Sequence, residues 1–189
     1  MGADARLTEQ KAQLRKRCLA ARDAAPDTAR AAAATRLFAR LMHLKGRTIA
    51  GYIPIGSEAD PLATMRALSF DNRICVPVVT AKGAPLRFRE WTPGCAMEEG
   101  PFRVPVPVEG GWRVPDVVIV PMVGFDRHGG RLGYGGGFYD RTLAGLNDCL
   151  IVGLALEAQR VDRIPREATD VAIPWIVTER GVSGVGATV

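Results

Sequence analysis

Apolar residues recur along the chain with two periods, and each period predicts one kind of element. Runs that are apolar throughout, or that alternate apolar and charged residues, predict strands at 48–55, 74–79, 86–91, 117–123, 150–156 and Trp175–Thr178. Stretches in which apolar residues return every three or four positions, or which follow a capping residue, predict helices at 8–25, 27–44, 60–69 and 138–146. The segment 92–115 is rich in Pro and Gly, which predicts an irregular loop.

Buried strands that alternate with helices indicate an α/β fold. We expect a mostly parallel central sheet with helices on both faces, because strands such as 117–123 are apolar on both sides. In the first predicted helix, Leu7, Leu14 and Cys18 form the apolar stripe. Ligands bind such sheets at the carboxyl ends of the strands, so the strand-to-helix loops are where we expect the chemistry.

The composition is that of a globular protein. The chain has 189 residues, of which 47% are hydrophobic and 24% charged, and this predicts a single domain over 1–189. The longest stretch without a charged residue, 48–57, is too short to cross a membrane, and the N-terminus lacks the apolar core of a signal peptide. The four cysteines lie far apart without a C-x-x-C pair, which is typical of reduced thiols in a cytoplasmic protein.

The positive charge lies in the first quarter of the chain. Residues 1–50 hold 11 Lys and Arg against 4 Asp and Glu, whereas the remainder holds 14 against 16. This excess indicates an anionic partner such as a nucleotide or a nucleic acid, or simply a solvated basic helix face. Nucleic acid is the weaker interpretation, because no known binding motif is present and aromatic residues do not interleave with the basic ones.

The segment 121–141 has the layout of a phosphate-binding loop. A buried strand ends near Val123, a loop that holds Gly133, Gly135, Gly136 and Gly137 follows, and a helix begins near Phe138. Glycine lets the backbone approach an anion closely, and the N–H groups of the loop then point at a phosphate. The segment is neither a Walker A loop nor a dinucleotide motif, so a glycine-rich tight turn without a ligand remains the alternative.

Two charged side chains accompany this loop. Arg131 enters it and is placed to clamp a phosphate oxygen. Asp140 lies in the first turn of the helix that follows, where a carboxylate either holds Mg²⁺ beside a triphosphate or complements the helix dipole.

The string FDRHGGRLGYGGGFYDR at 125–141 resembles the signature of the 5-formyltetrahydrofolate cyclo-ligase family, also called 5,10-methenyltetrahydrofolate synthetases. Every fixed position of F-D-x-x-G-x-R-[LIM]-G-x-G-x-G-[FY]-Y-D is met. The similarity extends over nearly the whole chain, through K-x-x-x-R at 11–15, GYIPIGSEAD at 51–60, VPVP at 104–107 and Q-x(4)-[LI]-P-x(4)-D within 153–179.

The resemblance implies a fold and a reaction. The fold would be similar to those of sugar isomerases and CoA transferases. The reaction would use ATP and Mg²⁺ to convert 5-formyltetrahydrofolate to 5,10-methenyltetrahydrofolate, releasing ADP and phosphate. The formyl oxygen would be phosphorylated first, and N10 would then close the ring.

The resemblance also implies which residues hold ATP and the metal ion. The ATP contacts would be Lys11, Arg15, Arg131, Leu132, Gly133, Tyr134, Gly135, Gly136, Gly137, Phe138 and Tyr139. Lys11 and Arg15 lie four residues apart and therefore share one helix face. Asp140 and Asp170 would hold Mg²⁺ from two separate loops, and Arg131 would be one of two catalytic residues.

The folate contacts implied in the same way are Ile53, Glu58 and Tyr139, with Tyr139 beside the formyl group as the second catalytic residue. Some members carry basic residues in the glycine loop where this chain has Tyr134 and Gly136, so backbone N–H groups must do more here. We expect small-molecule substrates, no membrane and a monomer. The alternatives are a paralogue with a different substrate and a basic nucleic-acid-binding module.

Overall fold

The computed structural model describes residues 3–185, and its centre is an eight-stranded sheet. Its helices are α1 Ala3–Asp23, α2 Asp27–Leu41, α3 Leu62–Leu68 and α4 Phe138–Leu143. Its strands are β1 Thr48–Ala50, β2 Arg73–Val78, β3 Arg87–Glu90, β4 Met97–Glu99, β5 Pro105–Pro107, β6 Trp112–Arg113, β7 Val117–Pro121, β8 Gly124–Phe125, β9 Arg131–Leu132, β10 Leu150–Leu154, β11 Trp175–Thr178 and β12 Gly181–Gly184.

The sheet has the order β12-β11-β10-β7-β1-β2-β3-β6. The five central strands pair in parallel, whereas β12, β3 and β6 add antiparallel pairs at the two edges. The predicted α/β class with a mostly parallel sheet is therefore confirmed. From β1 the chain proceeds to β2 on one side, and from β7 it proceeds to β10 and β11 on the other. The order reverses between β1 and β7, and such a reversal opens a crevice at the carboxyl ends of the strands.

Apolar side chains cover both faces of this sheet. On one face α2 and α3 bury residues such as Leu37, Leu41 and Met65 against Ile49 and Ile119. On the other face α4 contributes residues such as Leu143, which pack with a second buried cluster that consists mainly of Ala50, Cys75, Leu86, Phe88, Val118, Val120, Met122, Phe125, Ala155, Ile173 and Ile176. Burial on both faces explains why the central strands read as continuous apolar runs.

Most predicted elements are shorter in the structure than in the sequence pattern, and two of them, β1 and α3, flank the loop 51–61. Strand β1 ends at Ala50 rather than 55, and residues 51–61 form a loop at its carboxyl end. Helix α3 begins at Leu62, whose backbone N–H donates to Asp60 Oδ1 at 2.7 Å, so Asp60 caps the helix as its position predicts. The apolar run therefore continues past the strand into the loop that lines the crevice.

The segment predicted as an irregular loop contains regular structure. Strands β4 and β5 pair antiparallel, a 3-10 turn at Pro101–Arg103 joins them, and β6 extends the main sheet. Phe102 and Arg103 both have positive φ, of 61° and 60°. These elements are only two or three residues long and contain prolines, so no hydrophobic period is long enough to reveal them.

None of the helices within residues 3–185 is long and apolar enough to cross a membrane.

Candidate active site

A cleft of about 670 Å³ opens at the carboxyl ends of β1, β2 and β7, where the strand order reverses. Every residue to which the sequence analysis gives a role lines this cleft. They reach it from separate parts of the chain: α1, the loop after β1, the glycine loop with the start of α4, and the segment before β11. The topology thus brings the predicted residues together at the position where such sheets bind ligands.

The β8–β9 hairpin leads into the glycine loop at 133–137 and is held by the buried carboxylate of Asp126. This carboxylate accepts hydrogen bonds from the backbone N–H groups of His128 at 2.8 Å, Gly130 at 2.9 Å and Ile164 at 2.8 Å. A Cβ atom on Gly130 would lie only 2.5 Å from Asp126 Oδ2, so this position requires glycine. The β8–β9 hairpin is held in this way, and it presents Arg131 to the cleft.

Arg131 and Tyr139 offer polar atoms that the protein does not satisfy. Arg131 Nη2 donates to Asp140 Oδ2 at 2.7 Å, and the Arg131 guanidinium lies 5.6 Å from the centre of the Tyr139 ring. The buried Arg131 Nε and Tyr139 Oη have no hydrogen-bond partner among the described residues. Burial raises the pKa of Tyr139, so its hydroxyl keeps its proton near neutral pH and can donate it in a hydrogen bond. Buried polar groups without a protein partner are rare, and these two are available to a ligand in the cleft.

Lys11 faces two carboxylates across the cleft wall. Its Nζ lies 2.8 Å from Asp170 Oδ2 and 3.1 Å from Glu167 Oε2. Burial alone lowers the pKa of Lys11, but the hydrogen bonds to these two carboxylates raise it above the ordinary value. Burial likewise tends to raise the pKa of Asp170, whereas Lys11 and the Glu167 backbone N–H bring it below the ordinary value. Both groups of the pair are therefore charged near neutral pH.

Arg15 contacts the glycine loop directly. Its Nε donates to the Gly133 carbonyl at 2.8 Å, and a Cβ atom on Gly135 would lie 3.5 Å from its Nη2. Gly135 has a φ of +101°, which favours glycine. Helix α1 thus packs against the loop with a cation at the interface.

Asp140 and Asp170 both line the cleft, from two separate parts of the chain. Asp140 Oδ1 accepts a hydrogen bond of 3.4 Å from the backbone N–H of Val171, the neighbour of Asp170. Within residues 3–185, no group of three or more His, Cys, Asp or Glu side chains forms a complete metal site. Magnesium commonly uses one or two carboxylates and takes its remaining ligands from substrate phosphates and water. The pair of carboxylates therefore fits a metal ion that arrives with a nucleotide.

Glu58 lies at the other end of the site and is 5% exposed. Its Oε2 accepts from the Ile55 backbone N–H at 2.8 Å, and its Oε1 accepts from the Tyr134 hydroxyl at 3.1 Å. Burial raises the pKa of Glu58, although Ile55, Arg22 and Tyr134 oppose this shift. The Tyr134 side chain therefore reaches across from the glycine loop to the carboxylate predicted to bind folate.

The remaining wall of the cleft is mainly apolar and includes residues that the sequence analysis did not assign. They are Tyr52, Pro77, Val79, Leu86, Pro101, Phe102, Val104, Val106 and Pro121. The centroids of the Phe102 and Phe138 rings lie 5.9 Å apart, and the planes of the two rings meet at 68°. Most of these residues were missed because they come from separate elements, several of them short. The VPVP motif, which contains Val104 and Val106, is part of the family resemblance but was given no role in a site.

A comparison with protein families matches residues 7–179 to the 5-formyltetrahydrofolate cyclo-ligase family. The 5-formyltetrahydrofolate cyclo-ligase of Mycolicibacterium smegmatis is 35% identical over 185 residues and covers 91% of this chain and 95% of the relative. The corresponding protein of Haemophilus influenzae is 32% identical over 138 residues, covering 68% of this chain and 74% of the relative. The resemblance identified from the glycine loop thus extends over most of the chain.

Solved structures agree with this assignment. The NMR structure of Aquifex aeolicus 5,10-methenyltetrahydrofolate synthetase has a TM-score of 0.79 and 29% identity, and it covers 95% of this chain and 94% of its own. A 5,10-methenyltetrahydrofolate synthetase from Mycoplasma pneumoniae shares the fold with a TM-score of 0.72 at 24% identity, covering 89% of this chain and 98% of its own. The chain therefore belongs to the 5-formyltetrahydrofolate cyclo-ligase family of enzymes.

Proposed function

We propose that the protein uses ATP and Mg²⁺ to convert 5-formyltetrahydrofolate to 5,10-methenyltetrahydrofolate, with release of ADP and phosphate. One observation carries the proposal. A single cleft holds both a glycine loop flanked by cations and a buried carboxylate beside an apolar wall, and within it Arg131 Nε and Tyr139 Oη have no partner among the described residues. The glycine loop with its cations suits a triphosphate, and the buried carboxylate with its apolar wall suits a pterin.

On the phosphate side, Lys11, Arg15 and Arg131 supply the positive charge. Lys11 and Arg131 are paired with Asp170 and Asp140, respectively. When the nucleotide binds, the cation of each pair would contact a phosphate oxygen, and Asp140 and Asp170 would hold Mg²⁺. The metal ion would there neutralise part of the phosphate charge.

On the folate side, Glu58 accepts the donor edge of the pterin, which carries amino and amide N–H groups. An acceptor that is buried and charged discriminates strongly in favour of a ligand with matching donors, because a ligand without them leaves the carboxylate unpaired. The apolar residues around it, including Phe102 and Val106, cover the rings of the substrate. Ile53 lies in the same loop as Glu58 and completes this subsite.

The chemistry follows from bringing the two substrates together. The formyl oxygen attacks the γ-phosphorus, the bond from that phosphorus to the ADP oxygen breaks, and ADP leaves. The formyl carbon now carries a phosphate leaving group. N10 attacks this carbon, the carbon–oxygen bond breaks, and the departing phosphate accepts the N10 proton. Phosphoryl transfer needs chiefly positioning and neutralisation of charge, which Arg131 and the loop backbone supply. The Tyr139 hydroxyl donates a hydrogen bond to the oxygen that came from the formyl group, which gains negative charge as its bond to carbon breaks.

The test is a reaction with purified protein, 5-formyltetrahydrofolate, ATP and Mg²⁺, followed through the near-ultraviolet absorbance band that methenyltetrahydrofolate has and the substrate lacks. We expect the band to grow only when all components are present, and ADP to form in equal amount. Growth of the band without ATP would contradict the phosphorylation step. ADP formation that depends on another substrate would indicate a paralogue of different specificity.

A further inference from the structure

Helix α1 reaches the folate side of the cleft through a second buried cation, Arg22. The side chains of Arg22 and Glu58 are 4% and 3% exposed, and Arg22 Nη1 lies 3.8 Å from Glu58 Oε1. Arg22 Nε donates to Ser57 Oγ at 3.0 Å, and Nη1 donates to the Tyr134 hydroxyl at 3.1 Å. A charge buried to this extent is costly unless it is paired and hydrogen-bonded, so Arg22 and Glu58 depend on each other.

The chemistry of these groups fixes the direction of each hydrogen bond. A guanidinium only donates and an ionised carboxylate only accepts, so the Tyr134 hydroxyl accepts a hydrogen bond from Arg22 and donates one to Glu58 Oε1. The other carboxylate oxygen is held by the Ile55 backbone N–H at 2.8 Å. Both oxygens of Glu58 are thus oriented by the protein before any ligand arrives. A carboxylate has about four acceptor positions, so others remain for a ligand in the cleft.

We propose that Arg22 is a positioning residue for the substrate: together with Tyr134 it orients Glu58 so that this carboxylate accepts the donor edge of the pterin. The inference rests on the proposed function, because it takes Glu58 as the carboxylate that binds folate. It adds a residue to which neither the family signature nor the K-x-x-x-R pair assigns a role. Helix α1 would then contribute to the binding of both substrates, through Lys11 and Arg15 for the nucleotide and through Arg22 for the folate.

The charge of Glu58 gives Arg22 a second effect that can be measured. Glu58 faces Arg22 and Tyr134, with Tyr52 and Tyr139 further away. Burial raises the pKa of Glu58, and Arg22 is one of the groups that oppose the rise. Removal of Arg22 therefore raises this pKa further. A protonated carboxyl accepts less well, so folate affinity should decline on acidification at a higher pH than in the parent.

The test uses two variants, Arg22→Met and Arg22→Lys, with Arg17→Met as the control from an exposed position of the same helix. The dissociation constant of 5-formyltetrahydrofolate is measured without nucleotide, by titration calorimetry, between about pH 5.5 and 8.5. We expect Arg22→Met to weaken binding by about tenfold or more and to shift its acid limb upward. The pH profile of Arg22→Lys should lie between those of the parent and of Arg22→Met. Lysine keeps the positive charge but lacks the planar guanidinium that donates to both Ser57 and Tyr134.

The affinity for a non-hydrolysable ATP analogue separates positioning from general damage to α1. We expect this affinity to stay within about threefold of the parent in Arg22→Lys. Arg22→Lys combined with Glu58→Gln should bind folate no more weakly than Glu58→Gln alone, because Arg22 acts through Glu58. If Arg22→Met does not fold, these two measurements carry the test.

Two results would overturn the inference while leaving the proposed function intact. One is a parent that binds the folate and an Arg22→Met variant that binds it equally well. The other is an equal loss of folate and nucleotide affinity in Arg22→Lys, which indicates a purely structural role. A parent that does not bind 5-formyltetrahydrofolate at all contradicts the proposed function itself, and the inference with it.

Discussion

Replacing Tyr139 by Phe should stabilise the ligand-free protein and slow the reaction, two effects of opposite sign from one oxygen atom. Tyr139 Oη is buried without a partner among the described residues. A buried hydroxyl without a hydrogen bond costs roughly 1–3 kcal/mol. Phe removes the hydroxyl and keeps the ring, which lies 5.6 Å from the Arg131 guanidinium. Because the ring borders an open cleft, we take the lower value, about 1 kcal/mol.

For a chain of this size that gain corresponds to a rise in Tm of about 2–4 °C. The chain offers a matched control in Tyr52. This residue is also buried, but its hydroxyl donates to the Ala59 carbonyl at 2.5 Å. Tyr52→Phe leaves that carbonyl without its donor and should lower Tm by a few degrees. The same chemical change thus has opposite consequences at the two positions.

The measurements are thermal unfolding without ligands and turnover at saturating substrates. We expect kcat of Tyr139→Phe to fall by about ten- to a hundredfold, because the lost hydrogen bond is one that strengthens as charge develops on the oxygen. A lower Tm for Tyr139→Phe would refute the reasoning about stability, since it would mean that the hydroxyl is satisfied in the free protein. An unchanged kcat would refute its role in the reaction.

Three further predictions concern the phosphate side of the cleft. Lys11→Ala should raise KM for ATP by about tenfold, whereas Lys16→Ala, at an exposed position of the same helix, should leave it unchanged; equal effects in steady-state kinetics would contradict the assignment of Lys11. Gly135→Val should fold, as judged by circular dichroism, yet bind ATP far more weakly, because a side chain at a φ of +101° distorts the loop; unchanged affinity in calorimetry would exclude the loop as the phosphate site. Asp140→Ala and Asp170→Ala should each raise the Mg²⁺ concentration needed for half-maximal turnover, and a magnesium curve identical to that of the parent in both variants would disprove the metal assignment.

The sequence predicts the central sheet well because the physical signal there is strong. The apolar runs 117–123 and 150–156 contain the strands Val117–Pro121 and Leu150–Leu154, which are covered on both faces and therefore consist of apolar residues. The loop after β1 shows where this signal misleads. Tyr52 and Ile53 continue the apolar run, but they line the cleft instead of extending the strand. Residues that line an apolar cleft and residues of an apolar core have the same composition. Only the position at which the backbone hydrogen bonds of β1 to its neighbouring strands end, at Ala50, distinguishes the two.

The residues of the candidate site fall into two groups of different predictability. The glycine loop is visible in the sequence, because close approach to an anion requires a local pattern that few other structures share. Glu58, Asp170 and Lys11 have no local signature, and the family resemblance alone pointed to them. Phe102 and its neighbours come from a hairpin too short to leave a period, so the apolar wall was found only through the structure.

Helix α1 shows why a rule based on hydrophobic periodicity fails next to a ligand site. The rule placed its buried face on Leu7, Leu14 and Cys18, but Leu7 and Leu14 are only half-buried. Cys18 is buried as predicted, but the other buried residues of this helix are the charged Lys11 and Arg22, which lie at helical spacing from it. The two cations are satisfied by carboxylates of the cleft, through Asp170 and Glu167 for Lys11 and through Glu58 for Arg22. Two of the 11 basic residues in this N-terminal region therefore pack by ion pairing against the cleft. A buried stripe of charged residues stabilises the fold less than an apolar stripe would. This loss of stability is consistent with the proposal that the two cations serve the substrates.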